Sequence, residues 1–87
     1  MEYYLVVFRS RTQTMNFNQL LRSYGVRANI VNTPKQTSFS CSVSIKIDMN
    51  GLRVALNILQ RRRFDSIVGI YKVYDDGISF SIRPVNA

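Results

Sequence analysis

One side chain in this sequence stands out as a nucleophile: Cys41, the chain's single cysteine. A thiolate is both the attacking species and the metal-binding form of cysteine, and its supply depends on surroundings that lower the thiol pKa. A lone cysteine has no intramolecular disulfide partner, which argues against a secreted, disulfide-stapled scaffold. The other usual chemistry is missing. There is no histidine, and the five acids are Glu2, Asp48, Asp65, Asp75 and Asp76. Ser-His-Asp triads, histidine metal sites and most acid–base schemes are thereby removed. Asp48 reads as a helix cap and Asp75-Asp76-Gly77 as a turn. The expectation is a protein that is not itself an enzyme and that holds no cofactor.

The totals fit one small folded domain spanning residues 1–87. Hydrophobic residues make up 46% and charged residues 20%, a globular rather than a disordered composition. The longest wholly apolar run, Tyr3 to Phe8, is too short to cross a bilayer, and no leader-like segment precedes it. A cytoplasmic location without membrane contact is expected. The net charge of +7 attracts nucleic acid, acidic proteins or anionic small molecules, and it also suits a solvated surface.

The elements that must position the cysteine follow from periodicity. Tyr3 to Phe8 lacks polar alternation and suits a central strand covered on both faces. Ser10 and Gln13 form a capping-box pattern opening a helix from about 11 to 24. Its stripe is Met15, Leu20, Leu21 and Tyr24, with Phe17 somewhat off it, and Gly25 closes it. Val26, Ala28 and Ile30 alternate with polar residues in a second strand ending at about Asn32. Val43, Ile45 and Ile47 alternate likewise in a third, half-buried strand. Asp48 or Asn50 caps a second helix with Leu52, Ala55, Leu56 and Leu59 inward, and Arg61, Arg62 and Arg63 suit its negative end. Ile67 to Tyr74 is a fourth strand, and Ile78, Phe80 and Ile82 alternate in a short fifth.

This order predicts an α+β fold of ferredoxin-like βαββαβ type. Its antiparallel sheet carries two helices on one face, with the core over about 3–74 and an added strand over about 78–83. In that topology the first strand's exit, the loop holding Cys41, the arginine triplet and Arg83 all reach one end of the sheet. Helix N-termini and nearby cations lower a cysteine pKa from about 8.5 to roughly 3.5–7.5. The rim of Arg9, Arg11, Lys35, Arg61 to Arg63 and Arg83 therefore predicts a stabilised thiolate at Cys41. Parity with Val43, Ile45 and Ile47 aims its sulfur toward the helix layer.

The segment Pro34-Lys-Gln-Thr-Ser-Phe-Ser-Cys41 resembles the signature loop of a small bacterial family of selenium/sulfur carrier-like proteins. Pro34 matches the family's proline, Lys35 stands where arginine is usual, Ser38 and Ser40 match small polar positions, and Cys41 matches the cysteine. Gly69 to Val73 is similar to the family's last strand, and the likeness covers about residues 3–74. One position departs. Ser42 stands where glycine follows the cysteine, and serine disfavours positive φ and close backbone approach. The resemblance implies that Cys41 carries sulfur or selenium as a persulfide or selenopersulfide between donor and acceptor proteins. Lys35, Arg9 and Arg11 would supply positive potential, and Ser38, Ser40 and Ser42 hydrogen bonds.

Two other readings stand beside it. The topology also serves RNA-recognition domains, but the third strand has no aromatic residue for base stacking. That leaves phosphate binding through Arg61 to Arg63. A sheet with helices on one side also predicts an apolar open face suited to a homodimer.

Overall fold

The computed structural model describes residues 1–35, 37 and 42–85. Among the described residues five strands and two helices form: β1 (Glu2–Phe8), α1 (Arg11–Ser23), β2 (Asn29–Asn32), β3 (Val43–Ile47), α2 (Met49–Arg61), β4 (Ile67–Asp75) and β5 (Phe80–Pro84). The strands make one antiparallel sheet in the order β2-β3-β1-β4-β5. The unbroken apolar run belongs, as expected, to a central strand, for Tyr4 to Phe8 are all buried.

Side-chain alternation on β1 divides the core in two. Tyr4, Val6 and Phe8 pack with Phe17 and Leu21 of α1, Ile45 and Ile47 of β3, and Leu52, Ala55 and Ile58 of α2. Both helices thus lie on this one face. On the other, Leu5, Val7 and Val73 are fully buried, with Tyr3, Val31, Val68, Tyr71, Phe80 and Ile82 packed against them. None of the described exposed large hydrophobics (Met1, Met15, Tyr24, Met49, Tyr74 and Ile78) belongs to that group. The face that carries neither helix is apolar, with Tyr3, Val31, Val68, Tyr71, Phe80 and Ile82 each half-buried across it.

Local structure follows the expected signals with informative exceptions. Ser10 caps α1, its Oγ accepting from the Gln13 N–H at 3.1 Å. The helix ends in a Schellman turn: Gly25, at φ 84°, donates to the Arg22 carbonyl and Val26 to that of Leu21, an αL geometry that glycine adopts without steric cost. The buried stripe is Thr14, Phe17 and Leu21. Met15 and Tyr24, expected inside, are 43% and 63% exposed. Phe17 wins because 14, 17 and 21 follow the 3.6-residue repeat, whereas 15 lies about 100° from 14. Asp48 caps α2 by accepting from Gly51 N–H at 2.9 Å. Gly51 itself is a close-approach position: a β-carbon there would meet Ile47 Cβ at 2.8 Å and Val26 Cγ1 at 2.9 Å.

The strand expected over 78–83 runs instead from Phe80 to Pro84, because Asp76 gathers the preceding residues into a turn. Its Oδ1 accepts from the N–H groups of Ile78 at 2.9 Å and Ser79 at 2.6 Å, leaving Ile78 97% exposed. β3 also differs from a half-buried strand, since Ser44 is fully buried and its hydroxyl lies 2.7 Å from that of Thr33.

Two measurements test this packing. Gly51→Ala sets a methyl against a β-carbon that the strand backbone fixes, so overpacking of about 1–3 kcal/mol exceeds the helix-propensity gain of at most about 1 kcal/mol. Urea unfolding should show a lower midpoint at unchanged m-value. The backbone donors from Ser79 and Ile78 hold the Asp76 carboxyl below its ordinary pKa. Its contribution to stability is then present above the unfolded carboxyl pKa and lost as pH falls through the depressed folded value. The Tm difference between wild type and Asp76→Ala should be largest near neutrality and shrink below about pH 4.

Candidate functional site: a cationic strand-end rim

The site's geometry begins with strand register. Tyr4 pairs with Ile47 and Val6 with Ile45, so Phe8 stands level with Val43, which pairs with Asn32 on β2. On the other side Phe8 pairs with Ile67 of β4. One residue further out, four chain segments end in a row. Thr33 N–H donates to the Ser42 carbonyl at 2.9 Å, and Arg9 N–H donates to that of Ser66 at 2.8 Å. At the usual spacing of about 4.8 Å between strands, Ser42 lies roughly one strand from Arg9, and Thr33 roughly two.

Thr33 and Ser42 form the neck of the loop that contains the cysteine. Pro34 O turns the chain just beyond, accepting from the N–H of Thr37 at 3.1 Å and from its hydroxyl at 2.8 Å. Cys41, Ser38 and Ser40 lie outside the described residues, as does any aim of the sulfur toward the helix layer. Of the other expected site residues, Arg9, Arg11, Lys35 and Ser42 are all exposed. Arg9 and Ser42 share the row, Arg11 opens α1, and Lys35 follows Pro34 in the loop. No described non-glycine residue has positive φ, so Ser42 adopts an ordinary backbone conformation where the family resemblance expects glycine.

A cluster of three aromatic rings carries the arginine triplet to this end. Phe64 packs edge-on against Phe17 at 5.1 Å and Phe8 at 5.7 Å, and Phe8 lies 5.2 Å from Phe17. The Arg62 guanidinium stands 5.8 Å over the Phe64 ring. Gln13 adds a polar clamp. Its Oε1 accepts from the N–H of Ser66 at 3.2 Å and from its hydroxyl at 2.5 Å, while Nε2 donates to Asp65 at 2.7 Å. The capping box therefore forms by half, its glutamine side chain crossing to the α2–β4 connection. The sequence carried one hint of this corner, an isolated Phe64 within an otherwise polar Arg61 to Ser66 stretch.

Arg83 does not join the rim. It pairs with Lys72, which pairs with Tyr4, placing it four residues below Phe8, or about 13 Å at 3.3 Å per residue. β5 also forms the far edge of the sheet. The expectation brought the end of a short fifth strand to the rim, whereas the turn at Asp76 to Ser79 starts β5 at Phe80, opposite Asp75, and leaves Arg83 short of it.

The acids are distributed unevenly along the strand axis. Arg9, Arg11, Lys35, Arg61, Arg62 and Arg63 occupy the rim end with Asp65, whose carboxylate is bonded to Gln13. Glu2, Asp48, Asp75 and Asp76 belong to the opposite strand ends. The one ion pair among the described residues joins Lys72 to Glu2 at 3.4 Å, away from the rim.

These features define a small α+β domain that presents a loop neck at one end of its sheet, among cations that form no ion pair with the described residues. A family model described as "putative Se/S carrier protein-like" matches residues 3–72, most of the chain, and the protein belongs to that family. No curated protein and no solved structure matches the chain. No described helix is long and apolar enough to cross a membrane.

The clamp is open to direct test. Gln13→Ala removes the acceptor for two Ser66 donors at a partly buried position and should cost about 1–2 kcal/mol. Thermal unfolding should register the loss, and amide exchange should quicken first at Asp65 and Ser66.

Proposed function

We propose that this protein is a sulfur or selenium carrier that uses Cys41 as its single acceptor thiol. The observation that carries this reading is the family match over residues 3–72, a span that includes the chain's one cysteine. In the transfer, the Cys41 thiolate attacks the terminal sulfur of a donor persulfide. The donor's S–S bond breaks, its thiolate departs, and Cys41 retains the sulfur as a persulfide. A selenopersulfide donor would pass selenium by the same step, and an acceptor thiolate would reverse it. Electrons balance between the two proteins without a separate oxidant or a resident cofactor.

The rim supports this chemistry. Cations near a thiol favour the thiolate over the neutral form, and they favour a terminal persulfide anion for the same electrostatic reason. Arg9 and Arg11 at the start of α1 and Lys35 in the loop supply the positive potential. Ser38, Ser40 and Ser42 supply hydroxyl donors. Among these, Ser42 is the one whose backbone closes the loop neck.

The fold fits the same reading. The strand order β2-β3-β1-β4 with both helices on one face supports a ferredoxin-like, split βαβ arrangement, to which β5 adds a strand. We read the protein as a carrier rather than an enzyme, working with donor and acceptor proteins in the cytoplasm, where thiols stay reduced.

Incubation with a cysteine desulfurase and cysteine, followed by intact-mass analysis, tests the assignment. The expected product is the chain plus one sulfur atom, removed by a thiol reductant and absent in Cys41→Ser. No adduct under conditions that load a known persulfide carrier would refute it.

A further inference from the structure

The charge distribution holds information that the carrier chemistry does not use. A thiolate needs one or two nearby cations, yet six gather at one end of the sheet, drawn from the β1 exit, α1, the β2–β3 loop and the end of α2. All six are exposed. None makes an ion pair within the described residues, and the one acid among them is bonded to Gln13. The opposite end holds the other four acids, with Arg27 and Lys46 beside Glu2 and Asp48 and Lys72 paired with Glu2.

We infer that the rim of Arg9, Arg11, Lys35 and Arg61 to Arg63 is a docking surface for an acidic protein face, borne by the partner that loads or unloads the loop. The partner's role rests on the carrier reading, whereas the surface itself rests on the charge geometry.

Three observations fix the chemistry of the occupant. The six cations occupy one end of the domain, at the β1 exit, the first turn of α1, the β2–β3 loop and the end of α2. Their fields therefore add toward an approaching surface, and such complementarity speeds encounter and rejects wrong partners. Arg9, roughly one strand from Ser42, and Lys35, two residues beyond Thr33, stand by the neck, so a protein seated on the rim meets the root of the loop.

Third, the rim is poorly built for single-stranded nucleic acid, which stacks its bases on exposed aromatic faces beside a basic groove. Among the described residues two large aromatics are exposed, Tyr74 at the far end of the sheet and Tyr24, a single ring that lines a cleft with Arg61 and Arg62, so successive bases have no row of rings to stack on. Phe64, which follows the triplet, is packed against Phe8 and Phe17 with Arg62 over its ring.

Fluorescence anisotropy with a labelled peptide of alternating Glu and Gly tests this, using the full chain at about 0.15 M salt. Arg61→Gln/Arg62→Gln/Arg63→Gln is compared with Arg27→Gln/Arg53→Gln/Arg83→Gln, which removes the same charge from exposed positions away from the rim. Exposed ion pairs contribute about 0.2–1 kcal/mol each, so the rim variant should bind about tenfold more weakly and the control within about twofold of wild type. Equal losses in the two variants would overturn the proposal. So would tighter binding of a single-stranded RNA or DNA duplex of matching charge than of the peptide, since the occupant would then be a nucleic acid. The assay involves no sulfur and runs equally on Cys41→Ser. Loss of docking with intact sulfur loading would reject this surface alone, and loss of loading with intact docking would reject the carrier reading alone.

Discussion

The register of β1 against its two neighbours is the constraint from which the rest of the molecule follows. Pairing Val6 with Ile45 and Phe8 with Ile67 brings the strand-end segments around Thr33, Ser42, Arg9 and Ser66 to one level. A one-residue slip would reverse the faces of Tyr4, Val6 and Phe8, exchanging the residues that hold the helices for those that do not. Burial on both sides of β1 makes that slip costly, because Leu5 and Val7 are as fully buried as Val6 and Phe8. The geometry of the polar rim is therefore enforced from inside the apolar core.

The aromatic corner converts that register into a position for the arginines. A helix ending in three consecutive cations gains from its dipole, but that alone would leave the following connection free to splay. Phe64 prevents this by packing edge-on against both Phe8 and Phe17, and Gln13 bonds the next two residues to the first turn of α1. Like charges gathered at one end repel one another and reduce the stability of the compact state. Exposure of all six limits that cost. Their separation from the acids at the other end preserves a field that surface ion pairs would have cancelled.

Much of this arrangement was legible in the sequence, and the errors share a cause. Both helix caps, the Gly25 stop, the β3 limits and the end of the sheet reached by the cysteine loop follow from local patterns. Arg83 was misplaced because a strand's height depends on how many residues its turn consumes, and Asp76 takes Ile78 and Ser79 into that turn. The α1 stripe was misread because Thr14, a polar residue, holds an inward position by donating its hydroxyl to the Ser10 carbonyl at 2.9 Å. Ser44 escaped notice for a similar reason, being buried beside the Thr33 hydroxyl. Hydrophobic alternation reads side chains by type, and these two residues are buried with their hydroxyls partnered, one within its helix and one across to the neighbouring strand.

The residue after the cysteine shows why a departure from a family motif has to be weighed in three dimensions. Glycine is required where φ is positive or where another backbone crowds the α-carbon. Ser42 has an ordinary φ, is exposed, and uses its carbonyl to close the neck against Thr33. A residue with a β-carbon confines the unfolded chain more than glycine does, so at a compatible φ it favours the folded form by about 0.4–1 kcal/mol. Serine at this position therefore steadies the root of the loop without backbone strain. It also adds a hydroxyl at the level of the Arg9 row, and the substitution is compatible with the rim that the register of β1 builds.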